Sequence, residues 1–190
     1  FTHRPERGSF RAKYGLGPGP IVAYLGRVSP RKGVEHLVRA FAGDAMNPAQ
    51  LIVAGNDMGG MASAVAAQQG GGIHFVGLLR GEDRLALLSD TDVLVYPSAD
   101  EVFGLVPFEG LLCGAPVVVA DDCGCGELIA EAGAGLLVRY GDEAGLRGRI
   151  RTLLEDKAAG EAMVARGRKY VREQLSFGPV AVRHLDVYQE

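Results

Sequence analysis

The sequence predicts an α/β domain built on a doubly wound parallel sheet, and three observations predict it. Apolar, β-rich runs alternate with helical patterns between residues 21 and 140. Several runs are apolar without a break (Val93-Leu-Val95, Val117-Val-Val-Ala120), as in strands buried on both faces. The connections are short, as in repeated strand–helix crossovers. The class is therefore Rossmann-like.

The elements follow in order. Residues 1–20 are basic, then rich in Gly and Pro, and read as a lead-in segment with a short helical turn at 10–14. Strands are expected at 21–26, 50–55, 73–77, 92–97, 116–121 and 135–140, where the apolar runs fall. Helices are expected between them at 33–41, 58–69, 82–88, 104–113 and 125–131. After Tyr140 the pattern is helical only: 143–155 and 158–174 are charged, amphipathic stretches. Ser176-Phe-Gly-Pro-Val180 reads as a stop and restart before a last helix at 180–188. The organisation is one domain over 21–175, preceded by the lead-in and followed by a closing helical segment at 176–190. No repeat of solenoid period and no low-complexity tract interrupts it.

Composition narrows the function. Apolar residues at 47% and charged residues at 23% are ordinary for a soluble globular domain. A net charge of -3 gives no basic surface for nucleic acid. No apolar run approaches the ~20 residues of a membrane span, and no signal-peptide pattern opens the chain. Three cysteines, an odd number, fit a reducing compartment. A cytoplasmic protein is expected, with the inner face of a membrane left open as the place of the full-length polypeptide. The first residue is Phe1, not Met, which suggests a piece of something longer.

Residues 101–109, Glu-Val-Phe-Gly-Leu-Val-Pro-Phe-Glu, carry the strongest chemical signal. They mark a strand-to-helix step, where an open parallel sheet binds ligands. A helix starting at Gly104 would offer bare amides to an anion. Glu109 would then lie about five residues in, roughly 7.5 Å along the axis. Glu101 would stay in the loop, so the carboxylates would be spaced along a crevice and free to accept hydroxyls. Amides for a phosphate and carboxylates for neutral hydroxyls suit a sugar nucleotide. First-turn acids complementing the helix dipole explain one Glu well and both poorly.

Three other loops fall on the same edge. Gly26-Arg-Val-Ser-Pro-Arg-Lys-Gly33 follows the first strand and sets Arg27 and Lys32 near a helix start. Cations there cost ~0.3–1 kcal/mol, which an anionic ligand would offset. A solvated turn is the plain alternative. The segment matches neither the Walker loop nor Gly-x-Gly-x-x-Gly. Gly55, in Val53-Ala-Gly55, would admit a ligand close to the backbone, or mark a flexible turn. In Gly77-Leu-Leu-Arg80, the backbone near Leu79 would pair with a base edge, or form an ordinary loop. Cys123-Gly-Cys-Gly-Glu127 invites a metal reading, but two thiols without a third ligand do not make a tetrahedral site. A Gly-rich turn with small Cys residues filling space is the better account. His3, His36, His74 and His184 are scattered, none beside a nucleophile.

Together these motifs resemble the C-terminal, donor-binding half of retaining glycosyltransferases of the GT-B fold, the group 1 family. The matching pieces run in the family's order: Tyr24-Leu-Gly-Arg27 with Lys32-Gly33, Leu51-Ile-Val-Ala-Gly55, Phe75-Val-Gly77, Asp92-Val-Leu-Val-Tyr-Pro-Ser98, the Glu101 to Glu109 element, Gly114-Ala-Pro-Val-Val118 and Gly135-Leu-Leu-Val138. The resemblance runs from about residue 21 to the end. It implies that Arg27 and Lys32 bind the donor diphosphate, with Gly26 and Gly55 lining its site. Glu101 would hold hydroxyls of the transferred sugar, and with Arg27 and Lys32 it forms the implied catalytic set. The amides of Phe103, Gly104 and Leu105 would contact phosphate or sugar, and Glu109 the ribose. The expected donor is a nucleoside-diphosphate sugar, with no metal and no further cofactor. The acceptor, a glycan, lipid or small molecule, would belong largely to an N-terminal domain of the same polypeptide, toward which the segment 176–190 would pack. The chain departs from the family at Cys123-Gly124, where Gly-Gly is usual.

Two other classes stay open: a non-catalytic nucleotide-sugar binding module, and another enzyme of the same fold. An epimerase would need acids and His not visible here, and a phosphorylase a cofactor-lysine context that is missing. A nicotinamide dehydrogenase would need the dinucleotide glycine fingerprint.

Overall fold

The structure, a computed structural model, describes residues 4–42, 46, 48–57, 59–60 and 72–189. Six strands form one parallel sheet: β1 Ile21–Leu25, β2 Gln50–Ala54, β3 Ile73–Gly77, β4 Val93–Tyr96, β5 Val117–Ala120 and β6 Gly135–Val138. Their order is β3-β2-β1-β4-β5-β6. The described helices are α1 Ser9–Tyr14, α2 Val34–Phe41, α3 Gly81–Asp90, α4 Val106–Cys113, α5 Gly124–Glu131, α6 Glu143–Glu155, α7 Lys157–Tyr170 and α8 Phe177–Gln189. The helix expected at 58–69 lies outside the described residues.

Strand alternation divides the core into two layers. Side chains of successive strand residues point to opposite faces. Ile21, Ala23, Leu25, Ile52 and Leu94 therefore join Phe10, Leu87, Phe108, Leu111 and Ile129 on one side. Val22, Tyr24, Leu51, Val53, Val93 and Val95 join Leu37, Phe41, Leu146 and Ile150 on the other. Every residue of β1, β4 and β5 is buried, which is why these strands read as unbroken apolar runs.

Helix ends follow their sequence signals. Asp142 and Asp156 cap α6 and α7 by accepting from the amides of Gly145 (2.8 Å) and Ala159 (2.9 Å). Gly114, at φ 105°, closes α4. The Arg168 guanidinium then donates to the α4 carbonyls of Leu111 (3.0 Å) and Leu112 (3.2 Å). Two boundaries differ from expectation. α4 begins at Val106 rather than at 104, with Pro107 in its first turn. α8 begins at Phe177 rather than 180, because Gly178 and Pro179 fall where a helix tolerates them best. Residues 8–14 also pack more closely than a lead-in suggests. Phe10 is fully buried and stacks on Tyr14 at 4.2 Å. The carboxylate of Asp90, itself buried, accepts from the amides of Gly8 and Arg11.

Gly55 holds one close approach that the site depends on. A Cβ there would stand 1.6 Å from the Gly26 carbonyl oxygen. Gly55→Ala is therefore expected to cost about 1–3 kcal/mol or more through overpacking of backbone against backbone. Gly148→Ala, at an exposed position of α6 with nothing within 4 Å, is expected to gain about 0.5–1 kcal/mol. Denaturant unfolding of both variants checks the pair, and equal effects would contradict the packing described.

Candidate functional site

The strand order reverses between β1 and β4, so their C-terminal loops leave in opposite directions and a crevice opens between them. The β1 loop runs from Gly26 through a single 3-10 turn at Pro30–Lys32 to Gly33. Gly33, at φ 66°, lets α2 start directly against the exit of β4, where a Cβ would lie 2.1 Å from the Pro97 carbonyl oxygen. The two loops are also bound through their backbones, the Ala99 amide donating to the Arg31 carbonyl at 2.9 Å.

Across this crevice the Lys32 ammonium pairs with the Glu101 carboxylate. Both side chains are largely buried, at 15% and 21% exposure. The same oxygen, Oε2, accepts from the Tyr96 hydroxyl at 3.0 Å and the Ser98 hydroxyl at 3.2 Å. Burial pushes the Glu101 pKa up, but the Lys32 ammonium and the two hydroxyls outweigh it and hold the carboxyl below its ordinary value. Tyr96 responds in the opposite sense. Burial and the neighbouring Glu101 charge keep its phenol protonated well above the usual range. The Lys32 ammonium also lies 5.8 Å from the Tyr96 ring centroid.

Arg27 is exposed, and among the described residues no hydrogen bond or ion pair holds its guanidinium. The Tyr24 hydroxyl donates to the Arg27 carbonyl at 2.6 Å. Burial, followed by the Glu101 charge, raises the Tyr24 pKa, and the Arg27 charge opposes both. Gly26 is where the chain clears that hydroxyl: a Cβ would meet it at 2.8 Å. The space at Gly55, expected to admit a ligand, is taken by the Gly26 carbonyl, so its role here is to seat the β1 loop. The Leu79 side chain is buried in the core, leaving only its backbone for a ligand.

Residues 101–105 cover the start of α4 and α5. Val102, Phe103 and Leu105 are exposed, while Gly104 is buried, with room beside the Tyr96 ring and Cys125 Sγ for no side chain. Leu105 is the N-cap of α4 and makes no side-chain cap. Because α4 starts two residues later than expected, Glu109 lies in its first turn. It is not free, as expected, but paired with Arg84 of α3. All three cysteines are unpaired and buried, and among the described residues no group of three or more His, Cys, Asp or Glu could hold a metal. Of the histidines, His36 bonds Glu143 at 3.1 Å, joining α2 to α6.

The site thus brings together Lys32, Glu101 and the Gly26–Arg27 turn, and sets Glu109 apart on α4 with Arg84. Tyr96, Ser98 and Arg84 were missed from sequence. The signal for the first two was present: a Tyr ending an otherwise apolar buried strand and a Ser just beyond it, five and three residues before the carboxylate they serve. Arg84 carried none.

The lowered Glu101 pKa fixes a pH dependence. Its contribution to stability is full above the carboxyl's unfolded value of ~4.3 and is lost as pH falls through the lower folded value. The melting-temperature difference between wild type and Glu101→Gln is expected to be positive at neutral pH and to vanish in strong acid. A difference that is constant or grows on acidification would contradict the pairing.

Comparison with known proteins agrees with the fold. Residues 6–170 match the family Glycosyl transferases group 1. The chain is 30% identical over 204 residues to alpha-maltose-1-phosphate synthase of Mycobacterium tuberculosis, covering 96% of the chain and 51% of that protein. It is 34% identical over 171 residues to D-inositol 3-phosphate glycosyltransferase of Nocardia farcinica, covering 82% and 38%. The fold superposes on sucrose-phosphate synthase of Thermosynechococcus elongatus with TM-score 0.77 and 30% identity, covering 96% of this chain and 48% of that one. On Anabaena HepE, solved with UDP-glucose, the TM-score is 0.80 at 23% identity, covering 96% and 51%. The chain spans about half the length of relatives such as alpha-maltose-1-phosphate synthase and sucrose-phosphate synthase. With a six-stranded doubly wound sheet, a cation–carboxylate pair at its switch point and a family match over most of its length, the chain belongs to the group 1 glycosyltransferases, as one Rossmann-like half of a GT-B fold.

Proposed function

We propose that this chain binds a nucleoside-diphosphate sugar and presents it for transfer, with retention of configuration and without a metal, to an acceptor held by another part of the polypeptide. The observation that carries the reading is the Lys32–Glu101 pair, which joins a phosphate-binding cation to a hydroxyl-binding carboxylate across the crevice. The incoming diphosphate takes the Lys32 ammonium, and Glu101 is released to accept hydroxyls of the sugar. Arg27, exposed beside the same crevice, and the amides of Phe103, Gly104 and Leu105 complete the anion site. As the sugar–phosphate bond breaks, negative charge grows on the leaving diphosphate, and these fixed charges and dipoles stabilise it.

Glu109 accepts the ribose hydroxyls, and Arg84 holds its carboxylate in place for them. The backbone at Leu79 meets the base. Support for a hexose donor comes from relatives and neighbours: HepE is solved with UDP-glucose, and sucrose-phosphate synthase is a structural match. Residues 176–190 would pack toward the acceptor domain. In its favour, Phe177, Val182, Leu185, Val187 and Tyr188 stand exposed on α8. The donor half alone would bind without turning over, since a GT-B cleft needs two walls. No described helix is long and apolar enough to cross a membrane. The three unpaired thiols favour a reducing, cytoplasmic setting.

Titration calorimetry of this domain with UDP, GDP and ADP is expected to give weak binding of at least one, and no heat from a folded sample would contradict the reading. In the full-length enzyme, Glu109→Ala is expected to weaken donor affinity by about 1–3 kcal/mol, the loss of charge-assisted hydrogen bonds. Unchanged donor kinetics would reject the ribose role.

A further inference from the structure

Cys123 and Cys125 stand directly under the loop that carries Glu101. Their sulfurs are 3.3 Å apart, and both residues are buried. Cys123 is the N-cap of α5, and its Sγ donates to the Ala120 carbonyl at 3.1 Å. Between them, the Gly124 amide donates to the Glu101 carbonyl at 2.9 Å. A Cβ at Gly124 would stand 2.1 Å from the Val102 carbonyl oxygen, so loop and helix start are in backbone contact. On the far side, a Cβ at Gly104 would lie 3.1 Å from Cys125 Sγ. The dithiol is thus wedged between the base of α5 and both ends of the 101–104 loop. Cys113 is the last residue of a different helix, α4.

We infer that Cys123 and Cys125 form a dithiol oxidation site, closed to a disulfide by a peroxide, and that its state sets the donor affinity of the loop above it. The coupling half rests on the donor reading of that loop; the chemistry of the pair does not. The two thiols are unequal. The Cys125 hydrogen bond, followed by burial acting against it, leaves Cys123 below the ordinary thiol pKa, while that same bond and burial push Cys125 up. A helix N-terminus acts in the same direction on Cys123. Cys123 is therefore the attacking thiolate. It takes one oxygen from the peroxide, breaking the O–O bond and releasing hydroxide or an alkoxide, and becomes a sulfenic acid. Cys125 then displaces that oxygen: the S–O bond breaks, the S–S bond forms, and the Cys125 proton leaves with the oxygen as water. The two sulfurs together lose two electrons and the peroxide gains them.

Closure moves the loop. A disulfide needs a separation of about 2.05 Å, so the sulfurs must approach by over an ångström. Cys123 gives up its bond to Ala120, or Cys125 draws away from beneath Gly104. Either motion shifts the Glu101 carbonyl and the Gly104 amide that rest on this turn. By linkage, a ligand that binds the reduced loop more tightly must also disfavour the disulfide at equilibrium.

The test uses the full-length protein with Cys113→Ala, treated with hydrogen peroxide. Free thiols are counted by mass after denaturing alkylation, and binding of UDP, GDP and ADP is measured before oxidation, after it, and after reduction with dithiothreitol. Both thiols are expected to disappear together with no added oxygen, and to return on reduction. Oxidation is expected to weaken binding of whichever nucleotide binds by roughly tenfold, and saturating nucleotide to shift the dithiol–disulfide equilibrium toward the dithiol by the same factor in a glutathione redox buffer. With Cys125→Ala, Cys123 is expected to stop at the sulfenic acid and be trapped by dimedone. Thiols that persist at peroxide levels that oxidise glutathione, or that gain oxygen without pairing, would overturn the site. A disulfide that forms and leaves nucleotide affinity unchanged would overturn the coupling. A reduced protein that binds no nucleotide would overturn the donor reading and the coupling with it, while the thiol count still decides the disulfide.

Discussion

Lys32 and Glu101 arrive from loops that leave neighbouring strands in opposite directions, and their ion pair is the contact that closes the crevice. Two charges that are largely buried need each other and further polar partners. A carboxylate desolvated without them would be protonated or would displace its loop. Here Tyr96, the last residue of β4, and Ser98, just beyond it, supply the missing donors. The sheet register therefore fixes the hydroxyls, the hydroxyls and Lys32 fix Glu101, and Glu101 fixes the loop that carries Phe103 to Leu105. The rest of the site is built outward from that carboxylate.

Glycines make this closeness available. Gly33 brings the start of α2 under the Pro97 carbonyl, Gly55 receives the Gly26 carbonyl, and Gly124 receives that of Val102. Each is a backbone-to-backbone approach that a methyl group would prevent. The high Gly content of the chain is thus largely structural at these positions, holding loops against one another so that side chains from different strands reach one crevice.

Much of the fold could be read from sequence because parallel strands buried on both faces leave a plain trace. Val93 to Val95 and Val117 to Ala120 are apolar in every position, and β4 and β5 fall there. The pairing of Lys32 with Glu101 was approachable for a similar reason, since loops after strands of such a sheet gather at one edge. What stayed hidden depends on side-chain direction. Glu109 was expected to face the crevice unpartnered, yet Arg84 from α3 reaches it, a contact between residues 25 apart on two helices that no local pattern encodes. The Phe10 anchor was hidden too. A single aromatic in a Gly- and Pro-rich segment carries no periodicity, and only the packing of α1 shows it to be core.

Glu101 holds the cation that the proposed donor diphosphate would take, so on that proposal the two ligand fragments act on this pair in opposite senses. The most direct measurement compares Glu101→Gln with wild type in the full-length enzyme, using calorimetry with a nucleoside diphosphate and with the corresponding sugar nucleotide. Removing the carboxylate charge frees Lys32, so affinity for the bare diphosphate should hold or rise, while affinity for the sugar nucleotide should fall by roughly tenfold, the loss of about one charged hydrogen bond. If both affinities fall together, or neither changes, the ion pair is not the element shared by phosphate and sugar, and the account of the site fails.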